Sequence, residues 1–98
     1  MFRITGNKGF HIVFENRWTI SVQFGAGNYC MNYNNPFRYP KELEDVRCED
    51  AEIAIFNPEH ELFAHPNFEG DTVKGHITPD ELVKYIIWTS TQDKESIT

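Results

Sequence analysis

Two runs of alternating apolar residues near the N-terminus constrain the fold of this chain more than any other feature of its sequence. Every second residue in them is large and apolar: Phe10, Ile12 and Phe14, then Trp18, Ile20, Val22 and Phe24. A period of two is typical of β-strands, whose successive side chains point to opposite faces of a sheet. Glu-Asn-Arg at 15–17 separates the runs, and asparagine tolerates the left-handed backbone of a tight turn. The sequence therefore predicts an antiparallel hairpin over residues 10–24, with an edge strand over 1–5.

A second hairpin is predicted over residues 51–65. Ala-Glu-Ile-Ala-Ile-Phe at 51–56 suits a central strand, and Asn-Pro-Glu-His at 57–60 suits a turn with proline at its second position. Residues 61–65 would then return antiparallel to the first strand. Gly70 and Gly75 indicate that a short connector follows.

The last predicted element is a helix over residues 79–89. Thr-Pro-Asp-Glu at 78–81 is a capping box, whose hydroxyl and carboxylate satisfy N–H groups that the first helical turn leaves unpaired. Apolar residues follow at helical spacing and are expected to pack on the sheet: Leu82, Val83, Ile86 and Ile87. The prediction is one α+β domain over residues 1–90, an antiparallel sheet of four to five strands with one C-terminal helix packed on it. A polar tail over 91–98 would follow.

Length and composition limit the classes of protein to which the chain can belong. It has 98 residues, enough for one domain, and its 40% hydrophobic and 24% charged residues are the composition of a globular chain. No apolar run approaches the roughly 20 residues of a membrane span, and the first residues contain no apolar signal core. Cys30 and Cys48 are too few for a disulfide scaffold and are expected to stay reduced.

The net charge of −6 is divided unevenly along the chain. Residues 1–41 contain five basic residues and one acidic residue, whereas residues 42–98 contain four basic and fourteen acidic ones. This division is compatible with one basic and one acidic face, or with halves that the fold interleaves. The acidic balance argues against general binding to duplex DNA, because that affinity depends on neutralising phosphates.

The sequence contains no constellation typical of an enzyme or a metal site. His60 and His65 are five residues apart in a predicted strand, and this odd spacing points them to opposite faces. Cys30 and Cys48 form no Cys-x-x-Cys pair, and Cys30 is interpreted as a small apolar residue of a packed loop. No Gly-x-Ser-x-Gly motif and no paired carboxylate motif is present. We therefore expect no enzymatic activity, no cofactor and no bound metal.

The segment between the two hairpins is the richest candidate for function. Its aromatic residues are interleaved with asparagines and an arginine, residue types that dominate recognition surfaces and also stack nucleobases. Two alternatives stay open: some of these aromatics could complete the core, and the Gly-Ala-Gly-Asn turn at 25–28 could cradle a phosphate or simply bend the chain. The expected binding residues are Asn28, Tyr29, Tyr33, Phe37, Arg38 and Tyr39.

Three segments resemble a family of small proteins carried by tailed bacteriophages and mobile elements. They are Gly-Phe-His-Ile-Val-Phe through Gly-Asn-Tyr-Cys at 9–30, Ala-Glu-Ile-Ala-Ile-Phe-Asn-Pro-Glu-His-Glu at 51–61, and Gly-His-Ile-Thr-Pro-Asp-Glu-Leu-Val through Trp at 75–88, together about half of the chain. The family pattern has Asn-Gly in the first turn, where this chain has Asn16-Arg17. The resemblance implies a phage accessory protein in the cytoplasm of a bacterial host, and it transfers no catalytic residues.

Two functions follow as hypotheses. The first is a non-enzymatic binding protein, a phage-encoded inhibitor of a bacterial defence or host protein, whose acidic stretch at 42–52 would complement a basic groove on its target. The second is a sponge that sequesters a nucleotide signal, in which an aromatic ring stacks the base while Arg38, Lys41 or the 25–28 turn meets the phosphate. Such a sponge would be a homo-oligomer with its pocket between subunits.

Overall fold

The computed structural model describes residues 1–6, 9–34 and 47–94, which form six strands and one long helix. The elements are β1 (Phe2–Thr5), β2 (Gly9–Val13), β3 (Thr19–Gln23), β4 (Ala51–Phe56), β5 (Leu62–Phe63), β6 (Val73–Ile77) and α1 (Pro79–Ser90), with a short 3₁₀ helix (Pro66–Phe68) before β6. All strand pairs are antiparallel. The predicted α+β fold, with an antiparallel sheet and one C-terminal helix, is confirmed.

The order of strands in the sheet follows the chain from β1 to β4, and two short strands share the far edge of β4. β5 pairs with Ile55 and Phe56 at the end of β4, whereas β6 pairs with its beginning, from Ala51 to Ala54. β6 lies where glycines at 70 and 75 predict a connector. It is a strand because its backbone completes the open edge of β4, a tertiary effect that local composition does not indicate.

The first hairpin forms where the sequence predicts it, and its register places Phe10 opposite Val22. Its turn differs from the expected one, because the left-handed residue is Arg17, with φ of 73°, and not the asparagine. Asn16 instead accepts a hydrogen bond from the Trp18 N–H at 3.0 Å through Oδ1. Its Nδ2 donates to the carbonyl of Thr89 at 3.0 Å, so the turn is joined to the end of α1.

The core lies on one face of the sheet, where α1 covers β3, β4 and β5. Residues opposite one another in antiparallel strands share a face, and this places Ile20 beside Ile55. The indole rings of Trp18 and Trp88 meet edge to face, with centroids 5.8 Å apart, and connect the helix to the sheet. The buried core residues are Trp18, Ile20, Val22, Ala51, Ile53, Ile55, Phe68, Ile77 and Tyr85.

Helix α1 begins at the predicted capping box. The Glu81 N–H donates to Thr78 Oγ1 at 3.2 Å, and the Thr78 N–H donates to Glu81 Oε1 at 3.1 Å, so each residue satisfies the backbone of the other. The face of α1 that packs on the sheet is rotated from the predicted stripe. Val83 and Ile87 are exposed, whereas the buried residues of the helix are Tyr85 and Thr89.

Candidate functional site

After β3 the chain forms a loop over residues 24–34, here called the tyrosine loop, which packs against the beginning of β4 and against β6. Side chains along 28–33 alternate between buried and exposed. The buried members are Asn28, Cys30 and Asn32, and the exposed members are Tyr29, Met31 and Tyr33. The loop therefore has an inner polar and thiol-bearing side and an outer aromatic side.

Two acidic residues at the start of β4 hold the backbone of the tyrosine loop. Glu52 accepts from Asn28 Nδ2 at 3.1 Å and from the Tyr29 N–H at 2.9 Å, one bond to each carboxylate oxygen. Asp50 Oδ1 accepts from the Met31 N–H at 2.6 Å. In the described part of the acidic stretch, these two carboxylates thus bind the protein's own loop. Charge-assisted bonds of this kind are stronger than neutral ones and fix the loop in one conformation.

Strand β6 supports the tyrosine loop from the other side. The His76 N–H donates to the Tyr29 carbonyl at 2.8 Å, where a bulge in the pairing of β6 with β4 gives His76 a φ of 55°. A side chain at Gly75 would collide with this loop, because its Cβ would lie 2.4 Å from Tyr29 Cβ and 2.8 Å from Tyr29 O. Glycine at this position therefore permits the close approach of the two backbones.

The exposed side of the tyrosine loop is aromatic. Tyr29 and Tyr33 are 52% and 46% exposed, and their rings stack with centroids 5.8 Å apart and planes 3° from parallel. Met31, between them in sequence, is 51% exposed. Met31 is not among the binding residues predicted from the sequence, although the alternation along 28–33 places it outside together with the tyrosines.

The structure distributes the predicted binding residues over three situations. Tyr29 and Tyr33 lie together on the exposed surface of the tyrosine loop. Asn28 lies beneath them, where its Oδ1 accepts from the Gly25 N–H at 3.1 Å and closes the glycine-containing turn. The three remaining predicted residues, Phe37, Arg38 and Tyr39, lie outside the described residues. So does the part of the acidic stretch at 42–46.

Beneath the tyrosine loop, two thiols and a carboxylate come together. The Sγ atoms of Cys30 and Cys48 and a carboxylate oxygen of Asp50 all lie within 4.8 Å of one another. We call these three residues the thiol–carboxylate cluster. His76 Nδ1 lies 2.9 Å from the second oxygen of Asp50, Oδ2. Among the residues that the structure describes, this is the one group of metal-ligating side chains found so close together.

The surroundings of the cluster shift two of its pKa values in opposite directions. Burial raises the pKa of the Cys30 thiol, and the neighbouring Cys48 and Asp50 act in the same direction. Partial burial also opposes ionisation of Asp50, but the Met31 N–H and the adjoining His76 outweigh it and lower the pKa of this carboxyl. The cluster thus places a thiol whose ionisation is disfavoured beside a carboxylate whose ionisation is favoured.

The spacing of the two cysteines in the sequence does not indicate that their thiols are close together. Their separation of eighteen positions matches no metal-binding motif, but the sheet register brings them together. Gln23 and Glu52 are opposite one another, so the chain leaving β3 and the chain entering β4 meet at the same end of the sheet. Cys30 follows Gln23 and Cys48 precedes Glu52, and the fold brings both thiols together near this end of the sheet.

A concave region lies between α1 and the short 3₁₀ helix. It has a volume of about 330 Å³ and is lined by His65, Asn67, Glu81, Lys84, Tyr85 and Trp88. His65 Nδ1 accepts a hydrogen bond from the Asn67 N–H at 3.0 Å and caps the 3₁₀ helix. Of the predicted binding residues, the three that the structure describes, Asn28, Tyr29 and Tyr33, do not line this cavity.

The chain matches no model of a known protein family, no curated protein and no solved structure. The chain is therefore classified by its fold alone. It is an α+β domain that presents an ordered, aromatic loop at one end of an antiparallel sheet. Within residues 1–6, 9–34 and 47–94, no helix has both the length and the apolar character needed to cross a bilayer.

Proposed function

We propose that this protein is a non-enzymatic binding protein that recognises its partner through the exposed side of the tyrosine loop. The observation that carries this proposal is the pairing of half-exposed, stacked Tyr29 and Tyr33 with a backbone that carboxylates hold in place. Tyrosine supplies a large contact area at a small cost in side-chain entropy, and Met31 adapts its shape to the partner. Because the loop is fixed before binding, little backbone entropy is lost on association.

In this proposal the partner is a protein of the bacterial host, either a component of a defence system or another host protein. Support comes from the resemblance to small phage proteins and from the acidic residues around the tyrosine loop. Glu49 is exposed and Asp50 and Glu52 are half-buried beside the loop. Within residues 47–52 these three carboxylates outnumber the single cation, the exposed Arg47. Such an excess of carboxylates favours a partner with a basic surface, as at a nucleic-acid-binding groove, and would block that groove. The site of action would then be the host cytoplasm.

One observation favours a second candidate, the binding of a nucleotide signal. The tyrosine rings are 3° from parallel, and flat aromatic faces of this kind stack nucleobases. Calorimetric titration with a panel of cyclic and linear nucleotides separates the two candidates. A protein-binding surface would release no heat with any nucleotide, whereas a sponge would bind one with a defined stoichiometry.

The test of the first candidate is capture of a host protein by the full chain. The immobilised protein is expected to retain a specific protein from bacterial lysate, and the double variant Tyr29→Ser, Tyr33→Ser is expected to lose it. Leu62→Ser is the matched control, because Leu62 is equally exposed at 49% but lies on β5, outside the tyrosine loop. Equal capture by the double variant and the control would show that the tyrosines are not the binding surface.

A further inference from the structure

We infer that Cys30, Cys48 and Asp50 form a binding site for a divalent transition-metal ion, and that zinc is the metal that they select. This inference does not rest on the proposed binding function. It rests on three side chains that the fold brings together from two separate segments. The site would lie directly beneath the exposed tyrosines, where the loop meets the beginning of β4.

The distances suit one shared ion. Zinc binds thiolate sulfur at about 2.3 Å and carboxylate oxygen at about 2.0–2.2 Å, so two ligands of one tetrahedral ion lie roughly 3.5–4 Å apart. Cys48 Sγ and Asp50 Oδ1 are already 3.9 Å apart, and all three ligand atoms lie within 4.8 Å. Closing the cluster around an ion therefore requires movements of about 1 Å or less, within reach of side-chain rotation.

The chemistry of the three ligands indicates which ion binds. Two thiolates are soft ligands that favour zinc and other late transition metals, whereas magnesium and calcium bind sites made of oxygen. Cys30 is buried and Cys48 is half-buried, so the two sulfur ligands are largely shielded from water. A bound zinc ion would displace the thiol protons and offset the negative charge of the three ligands.

The carboxylate ligand is already oriented by its neighbours. The Met31 N–H donates to Asp50 Oδ1 at 2.6 Å, and His76 Nδ1 lies 2.9 Å from Oδ2. Each carboxylate oxygen has a second lone pair, so these contacts leave capacity for a metal bond. Hydrogen-bond partners of this kind orient metal ligands and commonly change affinity 10- to 100-fold when removed. We assign His76 this orienting role; three protein ligands leave a fourth position for water.

The test is a metal titration of the full chain. The protein is reduced with a phosphine, stripped of metal with a chelator, and titrated with zinc against a chromophoric competitor. One zinc ion per chain is expected. Cobalt(II) in place of zinc is expected to give a thiolate-to-cobalt charge-transfer band and intense visible bands, the spectrum of a tetrahedral site with sulfur ligands.

Three variants separate this site from adventitious binding. Cys48→Ser and Asp50→Asn are each expected to lose the cobalt spectrum and to bind zinc at least 100-fold more weakly, and His76→Gln to bind it 10- to 100-fold more weakly. His60→Gln is the matched control, since His60 is exposed in the turn that follows β4, at the opposite end of that strand from Asp50. Circular dichroism verifies that each variant is folded.

Three results would overturn the inference. The first is the absence of stoichiometric zinc binding by the reduced wild-type chain. The second is undiminished binding by both folded variants, Cys48→Ser and Asp50→Asn. The third is seen after the phosphine is removed and dissolved oxygen is admitted as the oxidant: a mass lower by two hydrogens and loss of both thiols despite an excess of zinc would identify the pair as a disulfide-forming couple. Loss of binding in Asp50→Asn with an unchanged far-ultraviolet spectrum supports the site even where Cys48→Ser fails to fold.

Discussion

His65 shows how one buried side chain can make the stability of this protein depend on pH. Its Nδ1 accepts a hydrogen bond from the Asn67 N–H at 3.0 Å, so this nitrogen carries no proton and the ring is uncharged. Its ring centroid lies 4.4 Å from that of Trp88 and 5.1 Å from that of Tyr85, in a tightly packed aromatic group. Burial of this ring lowers the pKa of His65 below its ordinary value of 6.5.

The consequence is loss of stability on acidification. Because folding lowers the pKa of His65, its contribution is complete above about pH 6.5 and is lost as the pH falls through the folded pKa. His11, whose pKa is lowered by burial and then by Arg3, acts in the same direction. In His65→Asn the amide Oδ1 supplies a capping acceptor in place of Nδ1, but the titrating ring is absent. The free energy of unfolding of this variant should therefore fall less than that of the wild type between about pH 7.5 and pH 5.5.

Urea denaturation at the two pH values measures this difference. The control is His60→Asn, in which an exposed histidine of a turn is replaced, and it is expected to keep the wild-type dependence on pH. An unchanged pH dependence in His65→Asn would mean that the carboxylates, and not this ring, determine acid stability.

At the scale of the element, α1 shows that helical spacing alone does not decide which face is buried. The predicted stripe and the observed one share Leu82 and Ile86, but the observed face continues to Tyr85 and Thr89. Thr89 can be buried because its hydroxyl donates to the Tyr85 carbonyl at 2.7 Å. The helix is rotated so that Trp88 reaches the aromatic rings of the sheet.

Two neighbouring isoleucines test this orientation. Ile86→Asp is expected to lower the free energy of unfolding by about 3 kcal/mol or more, because it places a carboxylate against the core. Ile87→Asp, at a side chain that is 56% exposed, is expected to cost about 1 kcal/mol or less. Both changes put a negative charge near the C-terminus of the helix, so both variants have a similar unfavourable interaction with the helix dipole. The difference between their free energies of unfolding therefore reports burial. Similar losses in the two thermal or urea transitions would place the core face elsewhere.

The elements that the sequence could predict are those defined by local patterns. The β2–β3 hairpin follows from alternation over residues 10–24, and the start of α1 follows from the capping box at Thr78. β6 could not be predicted, because its residues become a strand only through pairing with β4. The cluster beneath the tyrosine loop depends on the same long-range pairing, which places Gln23 opposite Glu52. Local residue types do not contain that information.

At the scale of the whole molecule, the two ends of the sheet are held together in different ways. At one end, Asn16 joins the first hairpin to the end of α1 through the Thr89 carbonyl, and Trp18 joins it to the segment after α1 through the Asp93 carbonyl. At the other end, carboxylates at the start of β4 and the bulge in β6 hold the tyrosine loop. The first end stabilises the core, and the second presents an exposed surface on a fixed backbone.

This division predicts that the tyrosine loop contributes to stability through its backbone contacts and not through its tyrosines. In Tyr29→Ser, Tyr33→Ser, the lost stack of two half-exposed rings is expected to cost about 1 kcal/mol. Gly75→Ala is expected to cost about 1–3 kcal/mol, because a Cβ at that position would be 2.4 Å from Tyr29 Cβ. Urea denaturation of both variants gives the two free energies. If the double tyrosine variant melts and Gly75→Ala does not, the tyrosines belong to the core of the domain, and the recognition surface must lie elsewhere.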